Sequence, residues 1–170
     1  MLGAERGAAA RPPGGRGNYS VEYDCAKLVT RFFDRLDALN RLNAAVRTDR
    51  SALPVATEQE DPWALMTADG SWRRNSATID SRTAFAKAIS GLPAGLITAH
   101  LVCNLLVDAK SETSAAASFR LLIFSATAEN GSIPVKLGPP GAILSTLAEL
   151  TMNDGTWRIK HIGSDAVFHY

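Results

Sequence analysis

Apolar positions follow different periods in the two halves of the chain. From Ser20 onward they recur at steps of three and four residues, as in an amphipathic helix. Ser20 suits the N-cap, and Glu22 and Asp24 fall in the first turn, where negative charge complements the helix dipole. The apolar stripe consists of Cys25, Leu28, Val29, Phe32, Leu36 and Leu39. The pattern predicts a first helix in which Asp37, one turn beyond Phe33, lies at the edge of the stripe.

The middle of the chain is less regular. Residues 44–60 show no clear period, and we interpret them as a loop or an irregular extension of the first helix. Asp61 and Pro62 then have the residue types of an N-cap and a first helical position, and Asp69-Gly70 would end a short helix there. The predicted segments are a second helix at 63–66, an edge strand or hairpin at 71–80, and a third helix from Ser81 to Gly91.

Beyond residue 95 the pattern changes to that of strands. The β-type runs are residues 96–108, 115–128, 142–152 and 156–162. Asn153-Asp154-Gly155 predicts a tight hairpin between the last two, because such a turn needs residues that accept a positive φ. Helices followed by a meander of strands favour an α+β fold with a largely antiparallel sheet.

The run that begins at Leu96 has two unlike faces if it alternates as a strand. One face is uniformly apolar and comprises Ile97, Ala99, Leu101, Cys103, Leu105 and Val107. The other is mixed and comprises Thr98, His100, Val102, Asn104 and Leu106. A strand this apolar should be covered on both sides, so the mixed face predicts that His100 and Asn104 border an enclosed, partly polar space, as a pocket requires.

Neither His100 nor Asp37 indicates catalysis by itself. A lone histidine in a strand is more often a hydrogen-bonded structural residue, and an aspartate late in a helix is usually solvated. Proximity would change both interpretations, because a carboxylate that orients an imidazole and stabilises its protonated form makes a competent general base.

Composition and charge narrow the class of protein. The formal net charge is +1, with no basic block, which argues against a nucleic-acid partner. No apolar run approaches the roughly 20 residues that span a bilayer, so we expect no membrane segment. The two cysteines lie in apolar segments and suit a reducing, cytoplasmic location. Residues 1–18 are rich in Gly, Ala, Arg and Pro and are predicted to be a disordered tail before a single domain at 19–170.

Four segments together resemble the SnoaL-like, nuclear-transport-factor-2-like superfamily. They are residues 33–40, 69–72, 98–104 and 154–159. Its members include scytalone dehydratase and hexachlorocyclohexane dehydrochlorinase, in which an aspartate of the first helix and a histidine of a sheet strand form an acid/base pair. The matching positions here are Asp37 and His100. The resemblance implies a cone-shaped α+β barrel, whose curved antiparallel or mixed sheet is closed by N-terminal helices.

The resemblance also implies a function and a site. It implies a cofactor-independent lyase or isomerase, with Asp37 orienting His100 as general base, no metal, and a small, largely apolar substrate, cyclic molecules included. The expected pocket residues are Phe33, Trp63, Trp72, Thr98, Val102, Asn104, Phe124 and Ser125. Trp63 and Trp72 are equally of the kind that fills a core. Ser125 or Phe124 stands where scytalone dehydratase has a second catalytic histidine, and Leu36 replaces its pocket tyrosine.

A second function fits the same resemblance. Members of this superfamily also serve as non-catalytic ligand-binding or assembly subunits, as in the small subunit of ring-hydroxylating dioxygenases. Relatives commonly associate through the outer surface of the sheet, so a homodimer or homotrimer is expected. An enclosed cavity would favour the enzyme, whereas a filled cone with an extensive apolar surface outside would favour the subunit.

Overall fold

The computed structural model describes residues 17–46, 61–74, 76–128 and 138–169. The helices are α1 (Gly17–Val46), a 3-10 helix (Pro62–Leu65) and α2 (Arg82–Ser90). The strands are β1 (Met66–Arg74), β2 (Ala77–Ile79), β3 (Leu96–Ser111), β4 (Ser114–Thr127), β5 (Ala142–Asn153) and β6 (Thr156–His169). The α+β class is confirmed. The predicted tail lies almost entirely outside the described residues, and α1 begins at Gly17, three residues before the predicted N-cap.

The strands form one curved, mixed sheet that is not closed into a full barrel. Their order is β2-β1-β6-β5-β4-β3, and every neighbouring pair is antiparallel except β1 and β6, which are parallel. Helix α1 lies across one face, which we call the inner face, where its Phe33 contacts Phe119 of β4. This is the curved sheet covered by an N-terminal helix that the resemblance implied.

The core on the inner face is built largely from aromatic rings. Phe32 of α1 meets Phe33 and Trp72 edge to face, at centroid distances of 5.2 and 5.6 Å. Trp72 and Trp63 both lie against Phe85 of α2, at 6.3 and 5.5 Å. Because the rings interlock across four elements, α1, the 3-10 helix, α2 and β1 are held against one another by a continuous apolar contact.

The region around Asp61 follows the predicted cap but not the predicted helix end. The Asp61 carboxylate accepts a hydrogen bond from the Trp63 N–H at 2.8 Å, as an N-cap should. Strand β1 then begins at Met66, so Asp69-Gly70 lies inside a strand and the prediction that it ends a helix was wrong. The pairing of β1 with β6 is irregular between Met66 and Ser71, and a Cβ on Gly70 would come within 2.9 Å of the Thr67 carbonyl oxygen. Gly70 therefore marks a bulge in the strand.

Two other boundaries were predicted correctly, and one strand is longer than expected. Ser81 caps α2 through its side chain, and Gly91 ends it. Asp154 and Gly155 both have positive φ, 50° and 72°, in the turn between β5 and β6. Strand β6 continues to His169, seven residues past its predicted end at 162, because β5 pairs with it as far as His169, whereas β1 pairs with it only to Ser164.

The β5–β6 turn provides a test of backbone strain. A Cβ on Gly155 would touch nothing within 4 Å, so Gly155→Ala introduces only the cost of a left-handed backbone. We expect a loss of about 1 kcal/mol in the free energy of unfolding. Gly91→Ala is the matched control, because Gly91 has right-handed helical angles and ordinary space for a methyl group. Urea denaturation measures both, and an equal loss in the two variants would contradict the assignment of the strain to φ.

Candidate functional site

His100 lies on the inner face of β3. A bulge later in this strand reverses which positions point inward. Asn104 has a φ of 52°, and the register with β4 shifts between Cys103 and Leu106. Before the bulge Thr98, His100 and Val102 face inward, and beyond it Leu105 and Val107 pack against the core. The predicted strict alternation was therefore wrong past Cys103, because the bulge shifts the parity of the strand by one residue. Asn104 is exposed at the bulge.

Asp37 of α1 and His100 of β3 form the contact expected of them. One carboxylate oxygen, Oδ1, lies 2.6 Å from the Nδ1 atom of the imidazole. The other, Oδ2, accepts a hydrogen bond from the His100 backbone N–H at 2.7 Å. Their side chains are only 8% (His100) and 10% (Asp37) exposed. One carboxylate thus binds both the ring and the backbone of the same residue, which restricts the orientation of the imidazole.

Two further side chains hold the carboxylate. The Thr98 hydroxyl donates to Asp37 Oδ1 at 2.9 Å, and the Asn40 amide donates to the Thr98 hydroxyl oxygen at 2.7 Å. Asn40 was not among the predicted site residues, although it follows Asp37 by three positions and therefore shares its helix face. Its Oδ1 atom is buried and has no hydrogen-bond partner among the residues that the structure describes. The Thr98 hydroxyl and the His100 backbone N–H both donate to Asp37, so each of its carboxyl oxygens serves as an acceptor.

An aromatic ring supports the imidazole from one side. Phe33, one turn before Asp37 on α1, lies with its centroid 5.6 Å from that of the His100 ring, at an interplanar angle of 32°. Phe33 is itself fixed by edge contacts with Phe32 and Phe119. The imidazole is therefore held by a carboxylate at one edge and by an apolar ring at one face.

A cavity of about 100 Å³ adjoins His100 on the inner face. Its lining residues come from five strands and are Trp72, Arg74, His100, Leu121, Ile123, Ala142, Leu144 and Ser164. Since Nδ1 of His100 is bound to Asp37, Nε2 is the ring nitrogen that remains for a ligand, and it has no hydrogen-bond partner within the described residues. The site thus combines an oriented imidazole with mostly apolar walls.

The structure brings some of the predicted pocket residues to this site. Trp72 lines the cavity beside His100. Phe33 and Thr98 lie behind it, where they contact the imidazole and the carboxylate. Val102 is on the same face, opposite Leu121, and packs against the core.

The other predicted pocket residues lie elsewhere. Trp63 is buried in the core against Phe85, and Asn104 is exposed at the bulge. Phe124 is paired with Ala99 and therefore lies on the outer face, away from His100. Ser125 is inward in register, beside Thr98, but it is exposed and does not border the cavity. Strand parity explains Asn104 and Phe124, because one position along a strand exchanges the two faces. Ser125 has the correct parity but lies two residues beyond the lining residue Ile123 on β4.

Six lining residues were not predicted, and two of these, Arg74 and Ser164, are polar. Arg74 follows Trp72 by two positions in β1, and Ser164 is its neighbour in β6. The signal for Arg74 was the period of a strand, since a residue two positions from an inward tryptophan faces the same way.

In the described part of the chain, no group of three or more His, Cys, Asp or Glu residues is arranged to hold a metal ion. No helix of the described ranges is long and apolar enough to cross a bilayer.

Sequence comparison identifies the family. Residues 56–163 match the SnoaL-like domain. This chain belongs to the SnoaL-like family. The matched range includes His100 and every lining residue of the cavity except Ser164, which follows its end, whereas Asp37 precedes it on α1. Comparison with curated proteins gives no match.

Solved structures share the fold of this SnoaL-like protein at low sequence identity. A candidate scytalone dehydratase from Novosphingobium aromaticivorans has a TM-score of 0.64 and 16% identity, covering 91% of this chain and 89% of that one. A nuclear-transport-factor-2-like protein with a cystatin-like fold from the same organism has a TM-score of 0.60 and 16% identity, covering 89% and 86%. ActVI-ORFA from Streptomyces coelicolor has a TM-score of 0.58 and 14% identity, covering 89% and 98%. These similarities establish the fold.

The buried network makes a prediction about stability. Thr98→Val keeps the shape of the side chain but removes the donor to Asp37 and the acceptor for Asn40. We expect a loss of about 1 to 3 kcal/mol in the free energy of unfolding, because two buried polar groups lose a partner. Thr78→Val, at an exposed position of β2, makes the same chemical change and should cost less than about 0.5 kcal/mol. Similar urea midpoints for the two variants would contradict a structural role for the network.

Proposed function

We propose that this protein is a cofactor-independent lyase or isomerase for small molecules, in which His100 is the general base and Asp37 orients it. The observation that supports this most directly is the 2.6 Å contact between Asp37 and the Nδ1 atom of His100, at the edge of a cavity that His100 itself lines. A base, its orienting carboxylate and a space for the reacting atom are the three parts that such chemistry needs.

The hydrogen bonds favour one tautomer of the imidazole. Asp37 accepts the proton on Nδ1, so Nε2 carries the lone pair and can accept a proton from a substrate carbon. After the transfer both ring nitrogens carry protons, and the Asp37 carboxylate stabilises the imidazolium. Asp37 keeps its place throughout and does not take the proton.

The electron pair left on the carbon has two possible destinations. In a lyase it forms a double bond to the next carbon, which loses its leaving group with its own electron pair. In an isomerase whose substrate also carries a C=C bond next to that carbon, the pair is delocalised onto an adjacent carbonyl oxygen as a dienolate. His100 then returns the proton to the far carbon of the C=C bond, which shifts by one position while the carbonyl re-forms. Neither route changes the oxidation level of the system as a whole, so His100 and Asp37 can perform the proton transfers without an external electron donor or acceptor.

The walls of the cavity suit this chemistry and limit the substrate. Leu121, Ile123 and Leu144 line it with apolar side chains, which reduce access of water to the base. Its volume of about 100 Å³ is below the roughly 300–1,000 Å³ of pockets for drug-sized ligands. The cavity therefore fits a compact molecule or the reacting part of a larger one.

Deuterium incorporation tests the base directly. The full chain is incubated in D2O with compact carbonyl compounds that carry a hydroxyl or chloride on the β-carbon, and NMR follows exchange at the α-carbon and formation of the alkene. We expect both to be accelerated by the wild type and lost in His100→Gln. Asp37→Asn should lower the rate by a factor of about 10² to 10⁴, because orientation and charge stabilisation are lost.

A second histidine provides the matched control. His161 of β6 lies on the outer face, where its Nδ1 is 2.9 Å from the Ser71 hydroxyl, so His161→Gln should leave the rate unchanged. Circular dichroism confirms that each variant is folded. Turnover that persists in His100→Gln, or an equal loss in His161→Gln, would contradict the assignment of His100 as base.

The outer face supports a second candidate function, that of an assembly subunit. Leu106 of β3 and Leu147 of β5 are 71% and 64% exposed, and both are paired with Ser118 of β4, so they share the outer face. Leu101 and Phe168, also exposed, fall on the same side in register. Exposed apolar residues grouped on one surface are typical of a protein interface.

Association through this face has its own test. If the outer face joins two copies, light scattering should give a dimer for the wild type and a monomer for Leu147→Glu, because a buried unpaired charge disfavours the interface. Tyr23→Glu is the matched control, since Tyr23 is an equally exposed aromatic on α1 rather than on the sheet. A wild-type monomer at high concentration would contradict this candidate function and leave the enzyme hypothesis untouched.

A further inference from the structure

Two consecutive arginines at the end of β1 have different surroundings. Arg73 is on the outer face and makes a two-pronged ion pair with Asp165 of β6, at 2.8 and 3.1 Å. Arg74 points the other way and lines the cavity that contains His100. Within the described ranges no carboxylate pairs with Arg74, and its observed neighbour is the ring of Trp72, whose centroid is 5.0 Å from the guanidinium carbon.

The charged end of Arg74 is partly removed from water. The residue is exposed as a whole, as expected for a side chain at the rim of a cavity. Burial of the guanidinium nevertheless lowers the pKa of Arg74 from its ordinary value, and arginine remains a cation at neutral pH. A partly desolvated cation without a carboxylate partner leaves electrostatic stabilisation available to an anion that enters the cavity.

The lining residues place Arg74 and His100 on opposite walls. Across the curved inner face the lining strands follow the order β1, β6, β5, β4 and β3, with Arg74 on the first and His100 on the last. Between them lie the apolar side chains of Leu144, Ile123 and Leu121. A molecule in this space would therefore meet a cation at one end, an imidazole at the other and apolar walls between.

We propose that Arg74 binds the carboxylate of a compact substrate and so places a carbon of that substrate at His100. A guanidinium presents parallel N–H donors that match the two oxygens of a carboxylate, and charge-assisted hydrogen bonds of this kind are stronger than neutral ones. Trp72 restricts the guanidinium through a cation–π contact. The inference rests on the proposed function for the identity of the site, and it narrows the substrate class from apolar molecules to small organic acids.

The test compares two probes that differ in charge and hardly in shape. Crotonate and its amide, crotonamide, are titrated separately into the full chain, and NMR follows the indole N–H resonance of Trp72, which lines the cavity and is present in every variant. The wild type should bind crotonate at least about tenfold more tightly than crotonamide. Arg74→Gln should bring the two affinities together, and Arg74→Lys, which keeps a charge but not the planar fork, should retain part of the preference.

The adjacent arginine is the matched control. Arg73→Gln removes one positive charge from the neighbouring position but leaves the cavity lining intact, so it should preserve the preference for crotonate. Equal affinities for the two probes in the wild type, no binding of crotonate, or the same loss in Arg73→Gln as in Arg74→Gln would each overturn the proposal. If Arg74→Gln fails to fold, the wild-type comparison and Arg74→Lys still decide the result.

The outcome is separable from that of the proposed function. Binding is measured without turnover, and His100→Gln should keep the preference for crotonate while losing any catalysis. A preference for the carboxylate without catalysis by the wild type would count against the lyase or isomerase alone. Catalysis without that preference would count against the role of Arg74 alone.

Discussion

The buried carboxylate of Asp37 is the interaction on which the arrangement of helix and sheet depends. Removing a carboxylate from water costs several kcal/mol unless donors replace the solvent. Here the donors all come from β3, namely the Thr98 hydroxyl, the His100 backbone N–H and the His100 ring. A shift of α1 by one residue would move Asp37 by about 1.5 Å along the axis and about 100° around it, away from all three. The carboxylate therefore fixes the register of α1 against β3.

The same interaction connects stability with chemistry. His100 is bound through its backbone and its ring by the two oxygens of one carboxylate, so the imidazole cannot rotate without losing a hydrogen bond in a buried place. Asn40 and Thr98 hold the carboxylate in turn, and Phe33 supports the imidazole. A base that is already oriented in the free protein needs little reorganisation when a substrate enters.

Local patterns predicted the elements well because helices and strands depend on near neighbours. The period of the α1 stripe, the caps at Asp61 and Ser81 and the Asp154-Gly155 turn each follow from residues close in sequence. The contact between Asp37 and His100 spans 63 residues and could not be derived from spacing, so it was expected only through the family resemblance. The main source of error in the predicted pocket was strand parity, that is, the face of the sheet to which a given strand residue points.

Particular residues show why parity could not be predicted. The bulge at Asn104 inserts one residue in β3, and asparagine adopts positive φ more readily than most residues without requiring it. Nothing in the sequence therefore distinguished a bulge from regular alternation. Phe124 was expected in the pocket because its position resembled that of a family histidine, yet its pairing with Ala99 puts it on the outer face. A shift of one residue in an alignment is enough to exchange the two faces.

Taken together, the two proposals account for how each charge at the cavity is neutralised when a substrate binds and when the proton moves. Before reaction the ionised Asp37 is held by hydrogen bonds from a neutral imidazole and its neighbours, while Arg74 carries the one positive charge on the cavity lining within the described residues. A bound carboxylate neutralises that charge. When the proton moves to Nε2, the new imidazolium is already paired with Asp37 at 2.6 Å, so the positive charge forms next to a negative one. Each charge that the substrate brings or the proton transfer creates is therefore next to a group of opposite charge. This matters most in a cavity with apolar walls, because such walls screen charge poorly.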